Sequence, residues 1–168
     1  MDIQYRLHIV LAMEKRRVAV RAIIIEDGKL LCVRLKKYPG KATSDGQDYW
    51  CTPGGGVDIG EPLVSALERE LIEETGIKPI LGRLIYIQQF QHENSEHLEF
   101  FFHVINAKDY RSIVLEETTN GVIEIAEINF IDPINNVVLP TFLSERNIAL
   151  DIKDGNLEIF NYINPSSV

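Results

Sequence analysis

The sequence predicts a mixed α+β fold, and three observations carry that prediction. Two apolar, β-branched runs within residues 18–35 are separated by Asp27-Gly28, a dipeptide typical of a β-hairpin. Residues 62–75 have leucines at every fourth position, and Gly76 follows where a helix cap belongs. Strand-like segments outnumber helical ones and are joined by short turns. This pattern favours an α+β layer arrangement over a doubly wound parallel sheet.

The remaining elements follow from the same periodicities. Extended segments are predicted at residues 49–52, 80–90, 97–105, 122–131 and 156–163, with a turn at 93–96 and a second helix at 139–150. Residues 36–48 are polar and contain proline and glycine, which indicates a long loop. A lid, a substrate contact and a plain surface insertion all remain open for this loop.

Length and composition predict one globular domain over residues 1–168. Hydrophobic residues make up 45% of the chain and charged residues 25%. Residues 1–16 are interpreted as an N-terminal extension that could add an edge strand or form a homodimer contact. The net charge of -8 excludes broad nucleic-acid binding, so no nucleic-acid partner is expected. A nucleotide substrate stays compatible, because divalent cations bridge carboxylates to phosphates.

The two cysteines and the hydropathy pattern bear on location. Cys32 and Cys51 lie in apolar stretches without metal-type spacing, so both are predicted to be buried free thiols. No long apolar run predicts a membrane span or a signal peptide. We therefore expect a reduced, cytoplasmic protein with no membrane partner.

The helix at residues 62–75 concentrates negative charge. Glu70, Glu73 and Glu74 fall within an arc of about 100° at 3.6 residues per turn. Like charges four residues apart cost about 0.2–0.5 kcal/mol, and the helix dipole disfavours acids near the C-terminal end. Arg69 offsets only part of this. The cluster is either a solvated acidic face or the site of a compensating cation, and Mg²⁺ prefers such oxygen ligands.

Three glycines, Gly54, Gly55 and Gly56, precede this helix and would let the backbone approach a ligand closely. The spacing from the second glycine onward resembles the signature of the Nudix hydrolase family, G-x5-E-x7-R-E-U-x-E-E-x-G-U, in which U is a bulky aliphatic residue. Every specified position matches over residues 55–77, with Leu71 and Ile77 in the aliphatic positions. The resemblance implies an α/β/α sandwich with a mixed β-sheet.

The resemblance also implies a reaction and a set of roles. Nudix proteins typically hydrolyse a nucleoside diphosphate linked to another moiety, using Mg²⁺ or Mn²⁺. The roles carried over from the motif are metal ligation by Glu70, Glu73 and Glu74, assistance by Glu61, orientation of a carboxylate by Arg69, and opening of the loop by Gly55. Bound cations would reverse the local charge, position the phosphates and activate a water molecule.

The general base is left open among several carboxylates. One of the helix glutamates, such as Glu70 or Glu73, could serve, and so could a glutamate from a later loop. Glu116, Glu117 and Glu124 are the later candidates, each of which could equally be an ordinary surface carboxylate. Among these three, the sequence-based preference is Glu117.

The substrate is a small nucleotide whose identity the motif leaves open. Nucleoside triphosphates, ADP-ribose, nucleotide sugars and dinucleoside polyphosphates are all candidates. Trp50 could stack on a base or fill the core, and Arg34 could meet a phosphate or be a solvated charge. A catalytically silent nucleotide-binding regulator is the main alternative function. An isoprenyl diphosphate isomerase lacks a supporting motif.

Overall fold

The computed structural model describes residues 15–39, 45–92 and 95–162. Most of the predicted extension at residues 1–16 therefore lies outside the described residues, as do residues 40–44 of the long loop and the end of the chain after residue 162. The first strand already begins at Lys15. The described residues combine β-sheets with helices, which confirms the predicted α+β class.

The described strands fall into two sheets. In chain order they are β1 (Lys15–Ile23), β2 (Ile25–Glu26), β3 (Lys29–Leu35), β4 (Trp50–Cys51), β5 (Gly54–Gly56), β6 (Leu81–His92), β7 (Ser95–Val104), β8 (Ile125–Ile131), β9 (Val138–Leu139) and β10 (Glu158–Asn161). The first sheet has the order β10-β6-β7-β1-β5, and it is mixed because β1 runs parallel to β7 but antiparallel to β5. The second has the order β2-β3-β4-β9, and β8 also pairs with β3.

The hairpin and the long helix form where the sequence predicts them. Asp27 and Gly28 both have positive φ, 49° and 75°, as a tight two-residue hairpin turn requires. The described helices are α1 (Leu63–Thr75), α2 (Gly121–Glu124), α3 (Phe142–Glu145) and α4 (Ile148–Asp154), with 3-10 helices at Ala107–Ser112 and Leu115–Glu117. Gly76 closes α1 in the left-handed conformation, with φ 74°.

The predicted continuous helix over residues 139–150 is wrong. It is divided into α3 and α4, because Arg146 is extended and the side chain of Asn147 accepts a hydrogen bond from Leu150 N. That contact starts a new helix in the manner of an N-cap. The apolar periodicity continues across the break, so the interruption is not visible in the pattern.

The strand predicted over residues 122–131 begins later than expected, at Ile125. Residues 122–124 belong instead to α2, where Thr118 Oγ1 accepts a hydrogen bond from Val122 N at 3.0 Å. Gly121 lies against the C-terminal half of α1: a Cβ there would stand 2.2 Å from Glu74 O. This contact fixes the segment before the strand starts.

Two hydrophobic clusters lie on opposite faces of the strands, as alternation requires. Phe102 and Leu31 belong to the cluster with α1, and their neighbours Phe101 and Leu30 belong to the cluster with α3 and α4. Helices therefore cover both sides of the sheets, which is the predicted α/β/α arrangement. Cys32 is buried in the second cluster, whereas Cys51 is only partly buried; both are free thiols.

Candidate functional site

The glycine strand β5 brings the acidic face of α1 against the edge of the first sheet. Gly54 N donates a hydrogen bond to Glu74 Oε2 at 2.8 Å. A Cβ on Gly55 would stand 2.4 Å from Glu70 Cδ, far inside contact distance. Glu70 can approach this strand only because Gly55 lacks a side chain.

Arg69 contacts three acidic side chains of this cluster, those of Glu61, Glu70 and Glu73. Its guanidinium donates to Glu61 Oε1 and Oε2, both at 2.9 Å, and to Glu70 Oε1 at 2.8 Å. A further hydrogen bond reaches Gly56 O at 3.1 Å, and Glu73 lies 3.6 Å away as an ion pair. Hydrogen bonds from Arg69 and from Asp58 N lower the pKa of the Glu61 carboxyl to about 2. Arg69 thus offsets the repulsion that the spacing of the glutamates creates.

Two glutamates of α1 have environments that disfavour ionisation. Glu74 is only 4% exposed, and burial raises the pKa of its carboxyl to about 8 despite the hydrogen bond from Gly54 and the charge of Arg21. Burial also raises the pKa of Glu70, against the hydrogen bond from Arg69. A divalent cation would favour the ionised form of both groups.

The segment around α2 completes this corner of the fold. Asn120 Nδ2 donates to Glu73 Oε2 at 2.8 Å, and Asn120 N donates to Glu73 O at 2.9 Å. Glu124, at the end of the same segment, adds negative charge that further raises the pKa of both Glu70 and Glu74. A distant stretch of sequence therefore contributes a carboxylate and an amide to the acidic cluster.

A family model for the NUDIX domain matches residues 15–141, and so covers β1 through the segment before α3. The chain belongs to the Nudix family. The residues that match the family signature lie on β5, on α1 and between these two elements. From here on, α1 is called the Nudix helix.

Individual relatives are similar over part of their length. Diphosphoinositol polyphosphate phosphohydrolase 2 of Rattus norvegicus is 34% identical over 77 residues, which cover 46% of this chain and 37% of that protein. ADP-ribose pyrophosphatase of Methanocaldococcus jannaschii is 38% identical over 68 residues, which cover 40% of this chain and 37% of that protein. Each alignment thus spans well under two thirds of the relative.

Solved structures show the same fold. The E. coli ORF135 protein superposes with a TM-score of 0.60 at 26% identity, covering 82% of this chain and 91% of that chain. This likeness extends beyond the segment aligned to the curated relatives, and it agrees with the α/β/α arrangement described above.

The Nudix glutamates have the donor chemistry for a hard divalent cation, because every side-chain ligand they offer is a carboxylate oxygen. Within residues 15–39, 45–92 and 95–162, however, no three acidic, histidine or cysteine side chains already stand in a metal-enclosing arrangement. Instead, the Arg69 guanidinium pairs with Glu61, Glu70 and Glu73.

The later glutamates differ in what they contact. Glu124 interacts electrostatically with Glu70 and Glu74. Glu117 ends an exposed 3-10 helix, and its side chain makes no hydrogen bond or ion pair among the described residues. The charge of Glu124 at the acidic cluster makes it a candidate beside Glu117, and the sequence-based preference for Glu117 stays a prediction.

Trp50 and Arg34 lie together, away from the Nudix helix. Trp50 is partly buried and packs against the second hydrophobic cluster, with Arg34 Cζ 5.7 Å from the centre of its ring. The Arg34 guanidinium also pairs with Glu127 at 2.9 Å and donates to Gln47 O at 2.6 Å. Core packing thus accounts for much of Trp50, and the roles of both residues in substrate binding stay predictions.

Sequence reasoning missed Asn120 and a buried polar pair, Arg21 and Glu99. The Asn120-Gly121 dipeptide is a turn signal within a loop already suspected of supplying a carboxylate, but nothing local indicates its partner. Arg21 and Glu99 look like ordinary strand residues.

In the described part of the chain, no helix is long and apolar enough to cross a membrane.

Proposed function

We propose that this Nudix domain hydrolyses the diphosphate linkage of a nucleoside diphosphate derivative with Mg²⁺, for which Mn²⁺ can substitute. The observation that carries the proposal is the gathering of Glu70, Glu73 and Glu74 beside a glycine strand, within an intact family signature. The names of the relatives support cleavage of a pyrophosphate bond. The proposed substrate class comprises nucleoside triphosphates, ADP-ribose and nucleotide sugars.

The residues of the site have distinct tasks in this proposal. Glu70, Glu73 and Glu74 would hold the cation, which polarises the diphosphate and lowers the pKa of an attacking water molecule. Arg69 holds Glu70 in place, and Glu61 holds Arg69 through two hydrogen bonds. Glu61 would therefore assist metal binding through Arg69.

The strand β5 would receive the phosphates. Gly55 and Gly56 present backbone without side chains at the edge of the first sheet, so an anionic group can lie close to it. Without a bound cation the surrounding carboxylates would repel that group, so binding and turnover should share one metal requirement.

Glu124 is proposed as the general base. The charge of Glu124 raises the pKa of Glu70 and Glu74, which supports a position near the place where the cation and water would be held. A carboxylate there can take the proton of the water as it attacks phosphorus, and the reaction releases two phosphorylated products. In this scheme Glu70 and Glu73 would bind the cation and would not act as the base.

Location and assembly are proposed from the composition and from the extent of the family match. Two free cysteines and the acidic composition support a cytoplasmic protein. One domain spanning residues 1–168 remains our proposal, since the family match ends at residue 141. The proposed homodimer contact through residues 1–16 falls mainly outside the described residues and stays a prediction.

The test is a screen of nucleoside diphosphate derivatives with Mg²⁺ or Mn²⁺. We expect turnover by the native protein and its loss in Glu73→Gln and Glu74→Gln. Glu68→Gln is the matched control, because Glu68 lies on the same helix but pairs with the exposed Lys78 at 2.7 Å. If the native protein hydrolyses none of the compounds, the proposed hydrolase activity is refuted. Tight nucleotide binding that persists in EDTA without products would favour a regulatory domain instead.

A further inference from the structure

A row of buried polar side chains crosses the first sheet next to the proposed catalytic site. Gln88 of β6 and Glu99 of β7 are directly paired in the antiparallel register. Directly paired residues point to the same face of a sheet with their Cβ atoms close together. Gln88 is 6% exposed and Glu99 7%, so two polar side chains share a buried position.

This row is linked to the Nudix helix through a single glycine. Arg21 donates to Glu99 Oε1 from Nε at 3.1 Å and from a terminal nitrogen at 3.0 Å. Its other terminal nitrogen donates to Gly54 O at 3.1 Å, and Gly54 N donates to Glu74 Oε2. Glu99 lies on the same face as Phe101, opposite the Nudix helix, so a ligand that reaches both sites must cross β5, the edge strand of the sheet.

The row has unused acceptor capacity. Gln88 Oε1 is buried and has no hydrogen-bond partner within residues 15–39, 45–92 and 95–162. A buried acceptor without a donor is destabilising and uncommon in folded proteins, and such groups are often completed by a ligand or water. On the neighbouring strand, Arg21 donates hydrogen bonds to only one of the two carboxylate oxygens of Glu99, namely Oε1. The neighbouring groups both accept hydrogen bonds, so a matching ligand must present adjacent donors.

An aromatic pair continues the same face. Phe90 and His97 are the next pair along β6 and β7 on that face, two residues beyond Gln88 and Glu99. Their rings are stacked, with centroids 4.7 Å apart and planes at 14°. Both residues are partly exposed, and the Arg21 side chain keeps 17% exposure, so the row reaches solvent. Flat apolar surface beside hydrogen-bonding groups suits a heterocyclic base.

We propose that Gln88 and Glu99 read the Watson–Crick edge of a guanine base in the substrate. Guanine carries an N–H at N1 beside an amino group at C2, which gives two adjacent donors for two acceptors. Adenine and cytosine place an acceptor nitrogen beside their amino group, and uracil flanks its single N–H with oxygens. The proposal rests on the proposed function, because it assigns the base of a nucleotide whose diphosphate lies at the Nudix helix.

The test is the binding of nucleoside monophosphates by isothermal titration calorimetry in Mg²⁺, because a monophosphate has no diphosphate linkage that could be cleaved during the measurement. We expect GMP to bind at least about tenfold more tightly than AMP, because a site built for a donor rejects analogues that lack it. IMP, which lacks the 2-amino group, should fall between them. Equal affinity for GMP and AMP, or no binding of GMP, would overturn the proposal without any variant.

Matched variants locate the preference. Gln88→Met should bring the GMP and AMP affinities to within about threefold of each other, because it removes the unpartnered acceptor. Gln89→Met is the control: Gln89 lies on the same strand but the opposite face, where it donates to Glu96. A GMP preference that survives in Gln88→Met would also overturn the proposal. A GMP preference in a protein without turnover would instead refute the proposed hydrolase and leave the base assignment standing.

Discussion

Asn120 holds Glu73 at two points: its Nδ2 donates to Glu73 Oε2 at 2.8 Å, and its backbone N donates to Glu73 O at 2.9 Å. The first contact orients a proposed metal ligand, and the second occupies a backbone carbonyl near the end of the Nudix helix. The segment that carries Glu124 is therefore attached to the helix that carries the other carboxylates.

Asn120→Ala should weaken metal binding. Loss of the amide leaves the Glu73 carboxylate without its orienting donor, and removing such an outer partner typically costs about 10–100-fold in metal affinity. Calorimetric titration with Mn²⁺ measures this directly, without a substrate. Asn129→Ala, at an exposed position of β8, should leave the affinity unchanged. Equal affinities in the two variants would refute the orienting role.

Gly55→Ala should weaken metal binding, whereas Gly56→Ala should leave metal affinity unchanged. A Cβ at Gly55 would stand 2.4 Å from Glu70 Cδ and displace that carboxylate, but a Cβ at Gly56 would have no atom of the described residues within 4 Å. The two variants add the same methyl group one residue apart. Steady-state turnover and Mn²⁺ titration of both proteins check the prediction, and a Gly55→Ala protein with native metal affinity would contradict it.

Glu124→Gln should lower kcat/KM by about 10²–10⁴-fold, the usual contribution of a general base. Glu117→Gln should leave kcat/KM unchanged, because the exposed Glu117 side chain makes no hydrogen bond or ion pair among the described residues. Metal affinity measured in parallel separates a lost base from a lost ligand. If Glu117→Gln lowers kcat/KM more than Glu124→Gln does, the general base is Glu117, which is the sequence-based choice.

Glu74 should make the stability of the metal-free protein depend on pH. Its pKa is about 8 in the folded protein, against an ordinary value of 4.5. Between these values the folded state holds a proton that the unfolded state has lost, so this contribution is complete below pH 4.5 and lost as the pH rises through about 8.

Thermal unfolding in EDTA tests this sign. The difference in Tm between the native protein and Glu74→Gln should shift against the native protein as the pH rises through that window, because glutamine does not ionise. Glu68→Gln, which removes an exposed charge from the same helix, should show no such shift. A difference that is constant with pH would refute the raised pKa of Glu74.

The acidic helix could be predicted because its information is local. A helix converts sequence offsets into fixed angles, so Glu70, Glu73 and Glu74 must share a face wherever the helix lies. Gly76 and the Asp27-Gly28 turn are likewise predictable, since each requires positive φ that few residues tolerate. The break at Arg146-Asn147 was not predictable, because an apolar pattern runs across it and a side-chain cap decides the boundary.

The sequence alone therefore determined the fold class, the family and the set of metal-binding candidates. Only the tertiary structure decided that Asn120 donates to Glu73, that the charge of Glu124 acts on Glu70 and Glu74, and that Gln88 lies beside Glu99. The physical reason is common to all three. Contacts between distant segments depend on strand register and on how helices and loops pack against each other, and no local propensity specifies those.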